Sequence, residues 1–154
     1  MRRAMQRSVV IVWVGATLGL VANAVSSRRI PLLTTPKVEV PEQDFIPLTQ
    51  AHDLWAKGAV FFLDARALED YAAGHIPNAL NLPAEAFSEH LGQVAPFLGT
   101  DSVIVCYCDG MECDLSYHLA DLLRQQGYTN IRILQNGWTD WSKAGYLTNK
   151  GAQP

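Results

Sequence analysis

Two short stretches of this chain are almost wholly apolar, and they limit what it can fold into more than any other feature. Ala59 to Leu63 reads AVFFL, and Ser102 to Tyr107 reads SVIVCY. Neither alternates apolar with polar residues, so each reads as a strand buried on both faces. Helical patterns surround them. Gln50 to Lys57 is a short helix with Thr49 as its N-cap and Gly58 as its stop. Leu68 to Ala73 is another, ending before Gly74, and Asn78 to Leu82 is a brief strand halted by Pro83. Ala84 to Leu98 is helical with interruptions near Gly92 and Pro96. Leu115, Leu119, Leu122 and Leu123 recur with the 3.6-residue period of an amphipathic helix across Asp114 to Gln126, closed by Gly127. Ile131 to Leu134 is a further strand, and Trp138 to Ala144 is a last helix ended by Gly145. Buried strands alternating with helices define an α/β fold, a parallel sheet flanked by helices.

The N-terminus has a different character. Residues 1–7 form a basic tail with Arg2, Arg3 and Arg7, and Ser8 to Ser27 contains no charged side chain. Within it Val9 to Leu20 reads VVIVWVGATLGL, apolar on every helical face. A hydrocarbon core needs about 20 mostly apolar residues, so residues 8–27 read as one transmembrane helix preceding the domain. Three arginines before the segment against Arg28 and Arg29 after it favour an N-terminus in the cytoplasm. The expected location is a single-pass anchor in the cell membrane, with the domain on the outer, periplasmic side. The alternative is secretion after signal cleavage, for which Ala22-Asn23-Ala24 has the small-x-small look. The apolar run exceeds a typical signal core of about 7–15 residues, which favours the anchor. Pro31, Pro36 and Pro41 mark residues 28–44 as an extended linker. Residues 45–148 are then the domain, and residues 149–154 a tail.

Composition excludes one class of partner. Twelve Lys and Arg against fifteen Asp and Glu give a formal net charge of −3, with no basic stripe to neutralise phosphates, so nucleic acid is not expected. The three cysteines, Cys106, Cys108 and Cys113, lie within eight residues, which is no disulfide framework but a local site. In open α/β sheets sites form beyond the carboxyl ends of strands, and Cys108 stands at such an end. A short loop follows, Asp109-Gly110-Met111-Glu112-Cys113, then a helix N-terminus at Asp114. Converging backbone N–H groups and the helix dipole favour a thiolate or persulfide there, and a lowered thiol pKa makes the sulfur nucleophilic. A Cys-x-Cys metal pair lacks further ligands nearby, so no metal is expected there.

The stretch from about Phe45 to Tyr146 resembles the rhodanese-like (sulfurtransferase) family. Four pieces carry the resemblance in the family's order: Leu63-Asp64-Ala65-Arg66 with Glu69-Asp70-Tyr71, Gly74-His75-Ile76-Pro77-Asn78-Ala79-Leu80-Asn81, Val105-Cys106-Tyr107-Cys108 with Gly110, and Asn136-Gly137-Trp138 with Trp141 and Gly145. The resemblance implies a rhodanese-like parallel sheet and a nucleophilic Cys108 that accepts sulfane sulfur and passes the persulfide on. It also implies supporting roles for Asp64 and Arg66, as a pair near the loop, and for His75, ordering the turn after Gly74. It implies no metal or organic cofactor, and the implied partners are a small-molecule or protein persulfide donor and a thiol acceptor. The bilayer, through residues 8–27, and possibly a neighbouring membrane protein, complete the expected surroundings.

The chain departs from the family pattern in two ways. Members that use thiosulfate carry a basic residue in or beside the loop, whereas here Asp109, Glu112 and Asp114 put three carboxylates around the thiol. Two like charges about 6 Å apart repel by roughly 3 kcal/mol at an effective dielectric near 20, which argues against thiosulfate and for a neutral or protein-bound persulfide. Cys113 is the second departure, because it stands where it could resolve a modified Cys108 as a disulfide. Two alternative functions therefore stand beside sulfur transfer: a thiol-disulfide redox protein using Cys108 and Cys113, and a non-catalytic binding module. Phosphatase chemistry is set aside, because no arginine lies between Cys108 and Arg124 to clamp a phosphate.

Overall fold

The structure is a computed structural model, and it describes residues 13–15, 17, 18, 22, 44–110 and 114–151. The chain divides into two units, Met1–Lys37 and Val38–Pro154. Most of the expected transmembrane segment, residues 8–27, lies outside the described residues. Those described from it are helical, with Trp13 and Leu18 exposed. Among the described residues no helix is long and apolar enough to cross a membrane.

In the second unit the elements follow in the order α1 (Leu48–Ala56), β1 (Phe61–Asp64), α2 (Leu68–Ala73), β2 (Leu80–Asn81), a 3-10 turn (Ala84–Ala86), α3 (Phe87–Val94), a second 3-10 turn (Ala95–Phe97), β3 (Ile104–Tyr107), α4 (Leu115–Gln125), β4 (Ile131–Leu134) and α5 (Gly137–Lys143). The four strands form one parallel sheet in the order β2-β1-β3-β4. In register, Leu63 of β1, Cys106 of β3 and Ile133 of β4 lie side by side, as do Asp64, Tyr107 and Leu134 one residue further on.

The two-residue period of the strands sends alternate side chains to opposite faces, and each face has its own core. Leu63, Ile104, Cys106, Ile131 and Ile133 pack with Phe87, Val94, Leu119, Ala120 and Leu123 of α3 and α4. Phe62, Val105, Tyr107 and Leu134 pack with Ala51, Tyr71 and Trp141 of α1, α2 and α5. Both faces of β3 are therefore buried along its whole length, the arrangement its unbroken apolar run requires.

Several boundaries differ from those read off the sequence, each for a local reason. α1 begins at Leu48 with Pro47 at the N-cap and no side-chain cap, so Thr49 is a first-turn residue and not the cap. β1 begins two residues later than the apolar run, because the Ala59 N–H turns back to the Leu54 carbonyl and Phe61 is the first to bond Val103. It also runs on to Asp64, whose carbonyl accepts from the Leu82 N–H at 2.9 Å. β2 shrinks to Leu80–Asn81, since Asn78 sits at φ 64 in a turn. α3 passes through Gly92 without interruption, and Pro96 fits inside the 3-10 turn that follows. β3 begins at Ile104 rather than Ser102, while α4 and α5 each shift by about a residue at their ends. After α5 the chain folds back, with Asn149 and His75 exchanging backbone hydrogen bonds of 2.9 Å and the Gly151 N–H bonding Ala72.

Two glycines in helices have opposite surroundings. A Cβ on Gly137 would meet Tyr107 Cβ at 2.7 Å and Leu134 Cγ at 3.1 Å, atoms fixed in β3 and β4. A Cβ on Gly92 would meet nothing within 4 Å. Gly137→Ala is therefore expected to destabilise the fold by about 1–3 kcal/mol through overpacking. Gly92→Ala should stabilise it by about 0.4–1 kcal/mol, by restricting the unfolded chain and raising helix propensity. Urea unfolding of the two variants beside the parent checks both signs.

Candidate active site

Cys108 is the first residue beyond the carboxyl end of β3, and only 1% of its surface is exposed. Its Sγ lies 3.4 Å from the Ser116 hydroxyl, in the first turn of α4. That contact puts the helix N-terminus, with its partial positive charge, beside the sulfur. When the sulfur is a thiolate or persulfide the hydroxyl donates to it. Cys108 is disulfide-bonded in this structure, whereas Cys106 carries a free, buried thiol. Met111, Glu112 and Cys113 of the loop lie outside the described residues.

The backbone around Cys108 is held from the far side of the sheet. The Cys108 carbonyl accepts from the Trp138 N–H at 3.1 Å, which ties the start of α5 to the strand end. The ring of Trp138 lies over the Arg66 guanidinium, 5.0 Å from Cζ to its centroid, a cation–π contact. Gly74 makes room for that ring, because a Cβ there would stand 2.6 Å from it.

Arg66 is 5% exposed and Asp64 wholly buried, so neither charge could stand alone. Arg66 Nε donates to Asp64 Oδ1 at 2.9 Å and Nη2 to Oδ2 at 2.6 Å, a two-pronged pair. Nη2 also reaches the Gly74 carbonyl at 2.7 Å. The Arg66 N–H adds a bond to Asp64 Oδ1 at 3.0 Å. The Tyr107 hydroxyl donates to Asp64 and accepts from the Ile76 N–H at 3.3 Å. Burial pushes the Tyr107 hydroxyl pKa well up, and the Asp64 charge pushes it the same way, so this phenol stays protonated as a donor. Burial would lower the Arg66 pKa, but the Asp64 hydrogen bond and charge reverse that and leave it raised. Asn81 bridges the Asp64 and Arg66 carbonyls through Nδ2, at 3.2 and 2.9 Å.

His75 serves the same segment from its other end. Its Nδ1 meets the Tyr71 carbonyl at 2.9 Å, which requires the proton on that nitrogen, and its ring stacks on Tyr71 at 3.8 Å. The Tyr71 hydroxyl donates to the Ala79 carbonyl at 2.7 Å and closes the turn. Asp64, Arg66 and His75 thus brace the backbone between α2 and β2.

Two of the three carboxylates expected around the thiol, Asp109 and Asp114, are among the described residues. Asp109 is exposed, and its carboxylate is bonded by the Thr139 hydroxyl of α5. Asp114 is exposed at the N-cap of α4 and makes no side-chain capping bond; it is not in the first turn. Among the described residues no group of three or more His, Cys, Asp or Glu is placed to hold a metal. Sequence reasoning missed Ser116 and Thr139 as neighbours of the site. A serine in the first turn after the loop was a local signal, but nothing local pointed from Asp109 to a residue thirty positions away.

A parallel four-stranded sheet with a cysteine at the end of its central strand, above a buried Asp–Arg pair, defines the class. Residues 48–144 match the model of the Rhodanese-like domain, and the chain belongs to that family. Thiosulfate sulfurtransferase 16, chloroplastic, of Arabidopsis thaliana is 32% identical over 113 residues, 67% of this chain and 90% of that protein. An HTH-type transcriptional regulator of Mycobacterium tuberculosis is 34% identical over 95 residues, 62% of this chain. The chain spans only 40% of that regulator. The BH2092 protein of Bacillus halodurans shares the fold, with a TM-score of 0.62 at 23% identity over 70% of this chain and 78% of that one.

Two predictions follow from the buried groups. Arg66→Met leaves Asp64 without its partner and should cost about 3–5 kcal/mol of stability in urea unfolding, far more than an exposed arginine would. Burial holds the Cys106 thiol far above its ordinary 9.0. Its contribution is complete below pH 9 and is lost above it, because the unfolded thiol ionises there while the folded one keeps its proton. Measured between pH 9 and 10.5, the parent should lose more stability than Cys106→Ala, with the difference in slope rising to about 1.4 kcal/mol per pH unit at the upper end. Parallel curves would show that Cys106 ionises in the folded state.

Proposed function

We propose that the chain is a sulfurtransferase in which reduced Cys108 carries sulfane sulfur as a persulfide and passes it to a thiol acceptor. The observation that carries this reading is the position of Cys108, beyond the last paired residue of β3 with Ser116 of the α4 first turn 3.4 Å from Sγ. An anionic sulfur is favoured beside a helix N-terminus and a hydroxyl donor. The Arabidopsis thaliana relative, named a thiosulfate sulfurtransferase and matched over 90% of its length, supports the same reading. The charge-free stretch Ser8 to Ser27 supports a membrane tether, with the domain on the outer side of the cell membrane.

The disulfide at Cys108 favours a second reading, a thiol-disulfide redox protein using Cys108 and Cys113. In either reading the Cys108 sulfur must be freed by a reductant before it can attack.

Intact mass separates these readings. Reduced protein, freed of reductant, is exposed to thiosulfate and separately to glutathione persulfide. Sulfur transfer adds one sulfur atom that cyanide removes and that Cys108→Ser prevents. Loss of two hydrogens, abolished by Cys113→Ser, moves the assignment to redox chemistry. No mass change with either donor sinks the sulfurtransferase reading and leaves a binding module.

A further inference from the structure

We infer that a cavity beside β2, lined by His75, Asn78, Asn149 and Lys150, is a binding site for a small oxyanion that carries its own hydroxyl, of the hydroxycarboxylate or hydrogenphosphate kind. The site is separate from the sulfur chemistry at Cys108 and does not depend on it.

The cavity measures about 240 Å³ and is half open to solvent. A single water takes up roughly 30 Å³ in the liquid, and drug-sized ligands fill about 300–1,000 Å³, so the space suits a small molecule. Its walls come from α2, the turn after it, β2 and the segment following α5, with Tyr71, Ala79 and Leu80 as the apolar part. No described residue of the Cys108 loop lines it, and β1 stands between β2 and β3 in the sheet. The frame is fixed by hydrogen bonds. His75 and Asn149 exchange backbone bonds of 2.9 Å, and the Ala79 N–H bonds the Ile76 carbonyl at 3.0 Å. The Tyr71 hydroxyl donates to the Ala79 carbonyl at 2.7 Å.

The polar groups on that frame are unpaired. His75 is 5% exposed and commits Nδ1 to the Tyr71 carbonyl, yet Nε2 takes no protein partner among the described residues. Nor is Nε2 sealed in the core. Among the described residues Asn136 Oδ1 is the only fully buried side-chain nitrogen or oxygen without a partner, so Nε2 opens to the cavity that His75 lines. The side chains of Asn78, Asn149 and Lys150 likewise make no hydrogen bond or ion pair among the described residues. Lys150 is the one charged side chain in the lining, and no carboxylate joins it, so the cavity favours an anion. The two amides add N–H donors. With its proton on Nδ1, neutral His75 presents a lone pair at Nε2, which accepts from a ligand hydroxyl. A bare oxyanion would set negative charge against that lone pair, whereas a hydroxylated one satisfies both His75 and Lys150.

The test is a nuclear magnetic resonance titration of the full-length protein with lactate, with propionate and with inorganic phosphate, at constant ionic strength. Lactate or phosphate should shift the backbone amide signals of Ala79, Asn149 and Lys150 to saturation. Saturation by lactate alone assigns a hydroxycarboxylate, and by phosphate alone a hydrogenphosphate. Propionate, which lacks the hydroxyl, should bind about threefold to tenfold more weakly than lactate, the range for one neutral hydrogen bond. Lys150→Met, at an exposed position, should weaken the binding of either oxyanion about fivefold, as removal of an exposed charge pair does. Asn149→Ala keeps the backbone pair with His75 and should weaken it about threefold. Cys108→Ser should bind as the parent does. No saturable shift with lactate or phosphate, shifts confined to the surroundings of Cys108, propionate as tight as lactate, or unchanged affinity in Lys150→Met would each overturn the inference. None of these results bears on sulfur transfer, which the mass measurement tests by itself.

Discussion

The buried pair of Asp64 and Arg66 is the constraint around which the site end of this domain is organised. An unpaired charge at either position would cost several kcal/mol, so the groups that satisfy the pair are as fixed as the pair itself. Asp64 takes bonds from the Arg66 side chain and from Tyr107. Arg66 reaches the Gly74 carbonyl, and Asn81 gathers the carbonyls of both. The pair therefore joins the ends of β1 and β3 to the segment after α2. It also explains why β1 carries a charged residue inside the sheet, where its own apolar run gave no hint of one.

The pair also determines how Cys108 is presented. Tyr107, immediately before the cysteine, faces the core that contains Tyr71 and Trp141 and bonds Asp64. Trp138 lies over Arg66 and bonds the Cys108 carbonyl. The backbone on either side of the cysteine is thus held by one ion pair, from one face of the sheet. Cys108 itself packs with the opposite core, beside Ser116 of α4. The sulfur and its backbone support occupy opposite faces, so the residues that hold the Cys108 backbone do not crowd Sγ.

Much of this architecture was legible in the sequence because the signals were local. α2 at Leu68–Ala73 and β4 at Ile131–Leu134 fall where the pattern placed them, each bounded by a clear stop. The position of Cys108 followed from the length of the apolar run before it. What was illegible depended on contacts distant along the chain or on backbone geometry. The start of β1 moved because Ala59 bonds back to α1, and β2 shortened because Asn78 takes a positive φ. Of the carboxylates expected around the thiol, Glu112 lies outside the described residues, and Asp109 and Asp114 are exposed. Asp109 is bonded by Thr139, and no local pattern encodes that partner.

The contrast between Cys106 and Cys108 shows how little displacement separates a free core thiol from a disulfide-bonded one. Both belong to the same core cluster. Two residues of extended chain separate their Cα atoms by roughly 6–7 Å. Cys106 sits in full register between Leu63 and Ile133, enclosed on all sides, and burial keeps its thiol protonated. Cys108 lies one residue past the last pairing of β3, where strands no longer flank it and the first turn of α4 does. The same geometry disposes of a shared metal. A tetrahedral zinc about 2.3 Å from each sulfur would need the two within about 4 Å, and Cys106 would have to ionise inside an apolar core. Where β3 ends, rather than which residue type stands there, decides which of the two sulfurs leaves the sheet interior and forms the disulfide.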